Sequence, residues 1–234
     1  MKIAAIIPAA GSSTRFQCQG EEQNKLFMQL NGRPLIYWSL DAFSFCDQII
    51  IPTQRDLFAK IDDVITRYFK NSKGFEMVSG GASRAESISN AIQILHPDID
   101  VVMIHDAARP LISHEIITRC RDEIVSKQAL IVAVKAKETV KEVVDGKIIN
   151  TPDRSKLWIA QTPQVFTKEI ITRAYAQPNI EQYTDDASLV EKLGVPVQIV
   201  QGSYENIKIT TYDDYLTAQR ILDSRLHVDR ERSR

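Results

Sequence analysis

Ile3 to Arg15 reads IAAIIPAAGSSTR, and the reading of this stretch decides the fold. Ile3 to Ile7 is a short apolar run bounded at once by Pro8, the pattern of a buried strand. Ala9, Ala10, Gly11, Ser12 and Ser13 follow. Side chains this small let the backbone approach a ligand and leave amide N–H groups free to meet an anion. Arg15 adds a permanent charge on a planar fork of donors, suited to phosphate. A tight strand-to-helix turn with no ligand accounts for the same residues, because neither GxGxxG nor GxxxxGK[ST] is present. The rest of the chain must decide.

The chain has 234 residues, 44% hydrophobic and 25% charged, as soluble globular proteins have. At this length roughly 70–75% of the unfolded chain's surface can be buried. That favours one large α/β domain, 1–226, with 137–157 as an appendage and 227–234 as a polar, flexible tail. The formal net charge of −1 gives no general argument for nucleic acid or membrane, so any basic site must be local. Cys18, Cys46 and Cys120 form no zinc or CxxC spacing, which points to a reduced, cytoplasmic protein. No apolar run approaches the ~18 residues of a membrane span. The opening IAAII is too short for the apolar region of a signal peptide.

Beyond Arg15, FQCQGEEQNK has no apolar periodicity and reads as a loop ending at Lys25. Strands and helices then alternate. Leu35 to Phe43 and Asp56 to Phe69 read as helices, with Gln48 to Pro52 and Phe75 to Val78 as strands. Gly80 and Gly81 lead through Ser83, a suitable N-cap, into an amphipathic helix from Arg84 to Leu95. Its N-terminus favours anions, and a plain Gly-Gly turn is the alternative. Val101 to Ile104 is a further strand running directly into HDAARP, 105–110. Asp106 there suits a magnesium or sugar-hydroxyl contact, or an ion pair with Arg109 that closes the loop. Ser113 caps the next helix, and Ala129 to Val134 is the fifth strand.

The alternation then breaks. Thr139 to Val144 and Lys147 to Asn150 flank Asp145-Gly146, a strong hairpin signal. Such a polar two-stranded ribbon is not stable alone, so it lies on its own domain or reaches to a second subunit. Trp158 to Ala160 rejoins the core, and Thr162-Pro163-Gln164 reads as a turn. In TDDAS, 184–188, Thr184 reads as an N-cap with two acids in the first turn. Val197 to Val200 and Ile207 to Ile209 read as late strands, with Lys208 inside the second, and Tyr212 to Leu226 as the last helix.

This pattern predicts a mostly parallel, doubly wound sheet. Ligands of such sheets bind beyond the carboxyl ends of the strands. PAAGSSTR, GGASR and HDAARP each follow an apolar run, so they share that edge and bring Arg15, Lys25, Asp106 and Arg109 together. Basic groups around one carboxylate suit a nucleoside triphosphate with Mg²⁺. No Ser–His–Asp or Cys–His set is evident for acyl transfer.

These motifs, with Lys25, Asp153-Arg154, LWIAQTPQVF, TDDAS and NIKIT, give the chain its likeness, from about Ile3 to Ile221, to a known family. It resembles the 2-C-methyl-D-erythritol 4-phosphate cytidylyltransferases. The resemblance implies a Rossmann-like nucleotidyltransferase fold, homodimeric through a protruding β-hairpin arm. It implies transfer of CMP from CTP to methylerythritol phosphate, with pyrophosphate released, in non-mevalonate isoprenoid synthesis. Carried over by position, Arg15 and Lys25 stabilise charge at the α-phosphate. Pro8, Ala9, Ala10, Gly11, Gly80, Gly81, Ser87 and Ala107 hold CTP. Asp106, Arg109, Thr184 and Lys208 face the methylerythritol phosphate, with Thr139 and Arg154 reaching across from the partner's arm. Arg154 and Lys208 join the catalytic set, and Asp106 is the candidate ligand for Mg²⁺ held mainly by the triphosphate. The chain departs from the family pattern in a longer segment between Arg15 and Lys25, and in Asn24-Lys25-Leu26 where Pro-Lys-Gln is usual. Three rivals remain: a polyol-phosphate cytidylyltransferase using ribitol 5-phosphate, an NAD-dependent oxidoreductase lacking its GxGxxG, and a catalytically silent nucleotide-binding module.

Overall fold

The opening apolar run forms β1, Ile3–Ile6, and its alternate residues enter two different cores. Ile3, Ala5 and Ile7 face one layer, Ala4 and Ile6 the other. A strand covered on both faces has no polar side, which is why it reads as an unbroken apolar run. The computed structural model describes residues 1–11, 24–70 and 74–232. Ser12, Ser13, Arg15 and Cys18 lie outside the described residues.

A two-residue pair, β2 (Gln29–Leu30) and β3 (Arg33–Pro34), leads into α1, Leu35–Ala42. Then come β4 (Gln48–Thr53), α2 (Phe58–Tyr68), β5 (Phe75–Ser79), α3 (Arg84–Ile92) and β6 (Val101–Ile104). Next are α4 (His114–Ile124), β7 (Ala129–Lys135), β8 (Glu142–Val144), β9 (Lys147–Asn150) and β10 (Trp158–Thr167). The chain ends with α5 (Lys168–Tyr175), α6 (Asp186–Lys192), β11 (Gln198–Gln201) and α7 (Tyr212–Arg232).

Among the described residues, seven strands form one sheet in the order β11-β7-β10-β6-β1-β4-β5. All pairings are parallel except those of β10, which runs antiparallel to both β6 and β7. Helices α1, α2, α4 and α7 cover one face, and α3, α5 and α6 the other. Each fully buried Ile or Leu in these layers contributes roughly 1.5–3 kcal/mol. From β1 the chain winds through β4 to β5, then returns to add β6 on the opposite side of β1. The carboxyl ends of β1 and β6 therefore flank a topological switch point, where the two loops diverge and leave a crevice.

The hairpin β8–β9 lies outside this sheet as a separate two-stranded ribbon. Asp145 (φ 49°) and Gly146 (φ 75°) both adopt positive φ, as a two-residue turn requires. Val143, Val144, Ile148 and Ile149 are 53–63% exposed on it.

Four readings change. Thr162-Pro163-Gln164 is no turn: it lies within β10, where the register shifts between Ala160 and Gln164 and the Thr162–Pro163 bond is cis. A proline lacks the N–H a ladder needs, and an irregular bulge absorbs it without ending the strand. Ile207 to Ile209 is not a strand. Ile209 N–H donates to Ala108 O at 2.8 Å, and no ladder extends from that bond. Lys208 therefore lies on an extended loop. Finally, Asp185 rather than Thr184 caps α6, its Oδ1 accepting from Ser188 N–H at 3.1 Å. The last helix continues past Leu226 to Arg232.

Candidate active site

The loops after β1, β4, β5 and β6 enclose a cavity of about 610 Å³. Pro8, Ala9, Ala10 and Gly11 form one wall, and Gly81, Ser83, Arg84 and Ser87 another. Asp106, Ala107 and Ala108 line it from the end of β6, with Lys25, Lys208 and Thr210 alongside. No helix among the described residues is long and apolar enough to cross a membrane.

The walls are close-built. Gly80 N–H donates to Thr53 O at 2.8 Å, which lays the β5 turn against the β1 loop. A Cβ on Gly80 would stand 2.6 Å from the Ala10 Cβ, so only glycine fits. Ser83 caps α3 by accepting from Glu86 N–H at 3.0 Å. Ser87 Oγ accepts from Gly81 N–H at 2.9 Å and donates to Ser83 O at 2.8 Å. Both serine hydroxyls are thus committed to backbone, and no cysteine or histidine lines the cavity among the described residues. The described walls hold no activated nucleophile of the kind covalent catalysis needs.

At the base, one carboxylate meets three cations. Asp106, 10% exposed, accepts from Lys208 Nζ at 2.8 Å on Oδ2 and from Arg84 Nε at 3.2 Å on Oδ1. Arg109 Nε approaches Oδ2 at 3.6 Å, while its Nη1 donates to Asn206 O at 2.8 Å. Burial would raise the Asp106 pKa, but Arg84 and Lys208 outweigh it and hold the carboxyl well below the usual range. Burial lowers the pKa of the Arg109 guanidinium. Lys25 Nζ donates to Ile209 O at 2.8 Å, tying the loop that carries Lys208 to the segment after β1.

Behind the cations lies a histidine that holds the loop. His105 is fully buried; its Nε2 is 3.0 Å from Arg109 O and its Nδ1 3.1 Å from Thr162 Oγ1. A carbonyl can only accept, so Nε2 carries the proton and Nδ1 accepts from the threonine hydroxyl. That hydroxyl also accepts from Asp106 N–H at 3.1 Å. Burial pushes the His105 pKa down to about 4, so the ring is neutral.

The cavity thus gathers Pro8, Ala9, Ala10, Gly11, Lys25, Gly81, Ser87, Asp106, Ala107 and Lys208 from the residues singled out in the sequence. Gly80 and Arg109 stand directly behind them. Thr184 is exposed and does not line the cavity. Thr139 and Arg154 belong to the arm and do not line it either; Arg154 Nη1 donates to Lys137 O at 2.7 Å within its own chain. Arg15 lies outside the described residues. Arg84, Gln54 and Thr210 were not anticipated. For Arg84 a signal existed: an arginine at the first helical position directly after GGAS.

A protein-held Mg²⁺ has no cage among the described residues, where no three His, Cys, Asp or Glu side chains converge. Asp106 is the one carboxylate among the described lining residues, and both its oxygens already meet cations. Ligation of Mg²⁺ by Asp106 is therefore not supported. The donor set fits an ion carried on phosphate oxygens and water.

Small-residue loops and clustered cations at the switch point of a doubly wound sheet define a nucleotide-binding α/β protein, shaped to receive phosphate-bearing ligands. The family model of 2-C-methyl-D-erythritol 4-phosphate cytidylyltransferase matches residues 3–224, and the chain belongs to that family of nucleotidyltransferase enzymes. The enzyme of that name from Caldanaerobacter subterraneus is 38% identical over 228 residues, covering 95% of this chain and 99% of its own. That of Microcystis aeruginosa is 40% identical, covering 94% and 99%. The crystal structure of 4-diphosphocytidyl-2C-methyl-D-erythritol synthase from Anaerococcus prevotii superposes with a TM-score of 0.81 at 31% identity, covering 95% and 98%.

Proposed function

We propose that this chain transfers CMP from CTP to 2-C-methyl-D-erythritol 4-phosphate, releasing pyrophosphate, in isoprenoid biosynthesis in the cytoplasm. The observation that carries this reading is the cluster of Lys208, Arg84 and Arg109 on Asp106 at the base of a cavity that belongs, by family, to cytidylyltransferases.

The reaction suits these groups. A phosphate monoester is mostly ionised at neutral pH, its second pKa being about 6, so the acceptor needs no general base. What it needs is in-line alignment and neutralised oxygens, which fixed cations provide. The small-residue loop 8–11 and the Gly80–Gly81 turn hold the cytidine end, with Ser87 as the side-chain contact. Lys25 and Arg15 stabilise charge at the α-phosphate. Lys208, Arg109 and Asp106 receive the acceptor, with Thr184 at its edge. When bound on the triphosphate, Mg²⁺ neutralises phosphate oxygens.

The arm has a role in the same reading. A two-stranded ribbon does not hold itself in water, and this one exposes four large aliphatic side chains. A two-fold partner would cover them, and the exchange would carry Thr139 and Arg154 to the neighbouring site. The test is a matrix of nucleoside triphosphates and polyol phosphates, scored for pyrophosphate with Mg²⁺ present. CTP with methylerythritol phosphate is expected to be the fastest pair. Equal or faster turnover with ribitol 5-phosphate would move the chain to a polyol-phosphate specificity.

A further inference from the structure

Two carboxylates share one guanidinium beside the cavity. Asp186, at the start of α6, is fully buried. Its Oδ1 accepts from the Tyr175 hydroxyl at 2.5 Å and from Arg84 Nη1 at 3.0 Å, and its Oδ2 accepts from Arg84 Nη2 at 2.9 Å. The remaining edge of the same guanidinium, Nε, donates to Asp106 Oδ1 at 3.2 Å. A bidentate pair fixes the plane of an arginine fork as well as its position. The two shorter bonds go to Asp186, so Asp186 and not Asp106 sets where Arg84 lies. Arg84 is 31% exposed and lines the cavity; Asp186 and Tyr175 do not line it.

The consequence falls on Asp106. With Oδ1 taken by Arg84, its Oδ2 is the oxygen presented to Lys208 at 2.8 Å. A buried ion pair gives little net stability compared with apolar residues of the same volume, and its best-attested use is to fix one geometry. The surroundings of Asp186 would accept apolar packing: Ala187, Leu189, Val190 and Ile171 are all buried nearby in sequence or in the same core.

We propose that Arg84, clamped by Asp186 and Tyr175, is a positioning residue that orients the Asp106 carboxylate and the Lys208 ammonium, and so sets the affinity for the acceptor phosphate. This rests on the reading given under Proposed function. Removing the Asp186 charge frees the Arg84 fork to close on Asp106, which turns the carboxylate and draws Lys208 from its place. The cytidine side of the cavity wall is held by bonds the Arg84 side chain does not make, Gly80 N–H to Thr53 O and Gly81 N–H to Ser87 Oγ.

The experiment is steady-state pyrophosphate release by the full chain, with KM measured separately for CTP and for methylerythritol phosphate, beside thermal unfolding of each variant. Asp186→Asn keeps the shape and removes the charge. It should raise the acceptor KM about 10-fold or more while the CTP KM moves less than ~2-fold. Arg84→Lys keeps the charge but loses the fork, and should raise the acceptor KM likewise. Tyr175→Phe, milder and remote from the cavity wall, should raise it several-fold. A lower unfolding temperature with an unmoved acceptor KM in Asp186→Asn would make the network structural only and overturn the proposal. If Asp186→Asn does not fold, an unmoved acceptor KM in Tyr175→Phe overturns it equally. No pyrophosphate from the wild-type chain would overturn the functional reading and this inference together; normal wild-type turnover with unmoved variants overturns the inference alone.

Discussion

Acidification should destabilise this protein between pH 7 and pH 5 through His105. Both ring nitrogens are committed in the neutral form, one donating to Arg109 O and one accepting from Thr162. A second proton on Nδ1 would face the threonine hydroxyl and force it to give up its present donation. Burial adds to this and pushes the His105 pKa from 6.5 down to about 4. Between those values the unfolded chain holds the proton and the folded chain does not, so stability rises with pH across the window and is lost as pH falls. The full displacement is worth about 3 kcal/mol, of which about 2 kcal/mol is lost by pH 5. In a chain of this length that is about 4–8 °C of unfolding temperature. Asp106 does not confuse the result. Its pKa is held below 3.8, so its contribution is present above that value and is lost only as pH falls beneath it. The assay is urea or thermal unfolding at constant ionic strength at pH 7, 6 and 5, on the wild type and on His105→Gln. Gln can still donate to one neighbour and accept from the other but cannot titrate here. The wild type should lose about 2 kcal/mol more than the variant from pH 7 to pH 5. Equal losses in both proteins would refute the argument.

Three further outcomes are expected. Gly80→Ala places a Cβ 2.6 Å from the Ala10 Cβ; overpacking of this kind costs roughly 1–3 kcal/mol of stability, and it should raise the KM for CTP as the two walls part. Arg15→Ala should lower kcat by ~10²-fold or more, as the loss of one preorganised charge donor does; a change confined to the KM for CTP would make Arg15 a ground-state binder instead. On the two-fold arm exchange proposed above, co-refolded Arg15→Ala and Arg154→Ala subunits should recover about a quarter of wild-type activity, since roughly half the dimers would be mixed and each would rebuild one site. Mixed dimers as inactive as either parent would remove Arg154 from the neighbouring site.

The sequence made the sheet legible because its central strands are buried on both faces. IAAII, the IIIP that follows Gln48, and VVMI have no polar residue to blur the period, and each runs into a loop of small, polar or charged residues. That pattern alone places Ala9, Gly81, Asp106 and their neighbours at one edge of the sheet. The hairpin was legible for a different reason, since Asp-Gly between β-branched runs has few other solutions. Thr162-Pro163-Gln164 misled because proline is a turn signal locally, whereas here a bulge in β10 absorbs it between two long flanking ladders. Lys208 looked like a strand residue because Ile207 and Ile209 flank it, but its loop makes only an isolated backbone bond to Ala108. Arg84 and Asp186 were the hardest to see. They are 102 positions apart, and the pairing exists only because α3 and α6 cover the same face of the sheet. Asp186 is explained locally by its helix N-terminus; Arg84, a cation at the positive end of α3, is not, but nothing in the sequence names its partner.

The central claim is most directly tested by pyrophosphate release from CTP and 2-C-methyl-D-erythritol 4-phosphate with Mg²⁺, measured beside the same assay with ribitol 5-phosphate and with ATP, GTP and UTP. Turnover fastest with CTP and methylerythritol phosphate is the predicted result. Pyrophosphate at equal or greater rate from ribitol 5-phosphate, or from another nucleotide, would contradict it.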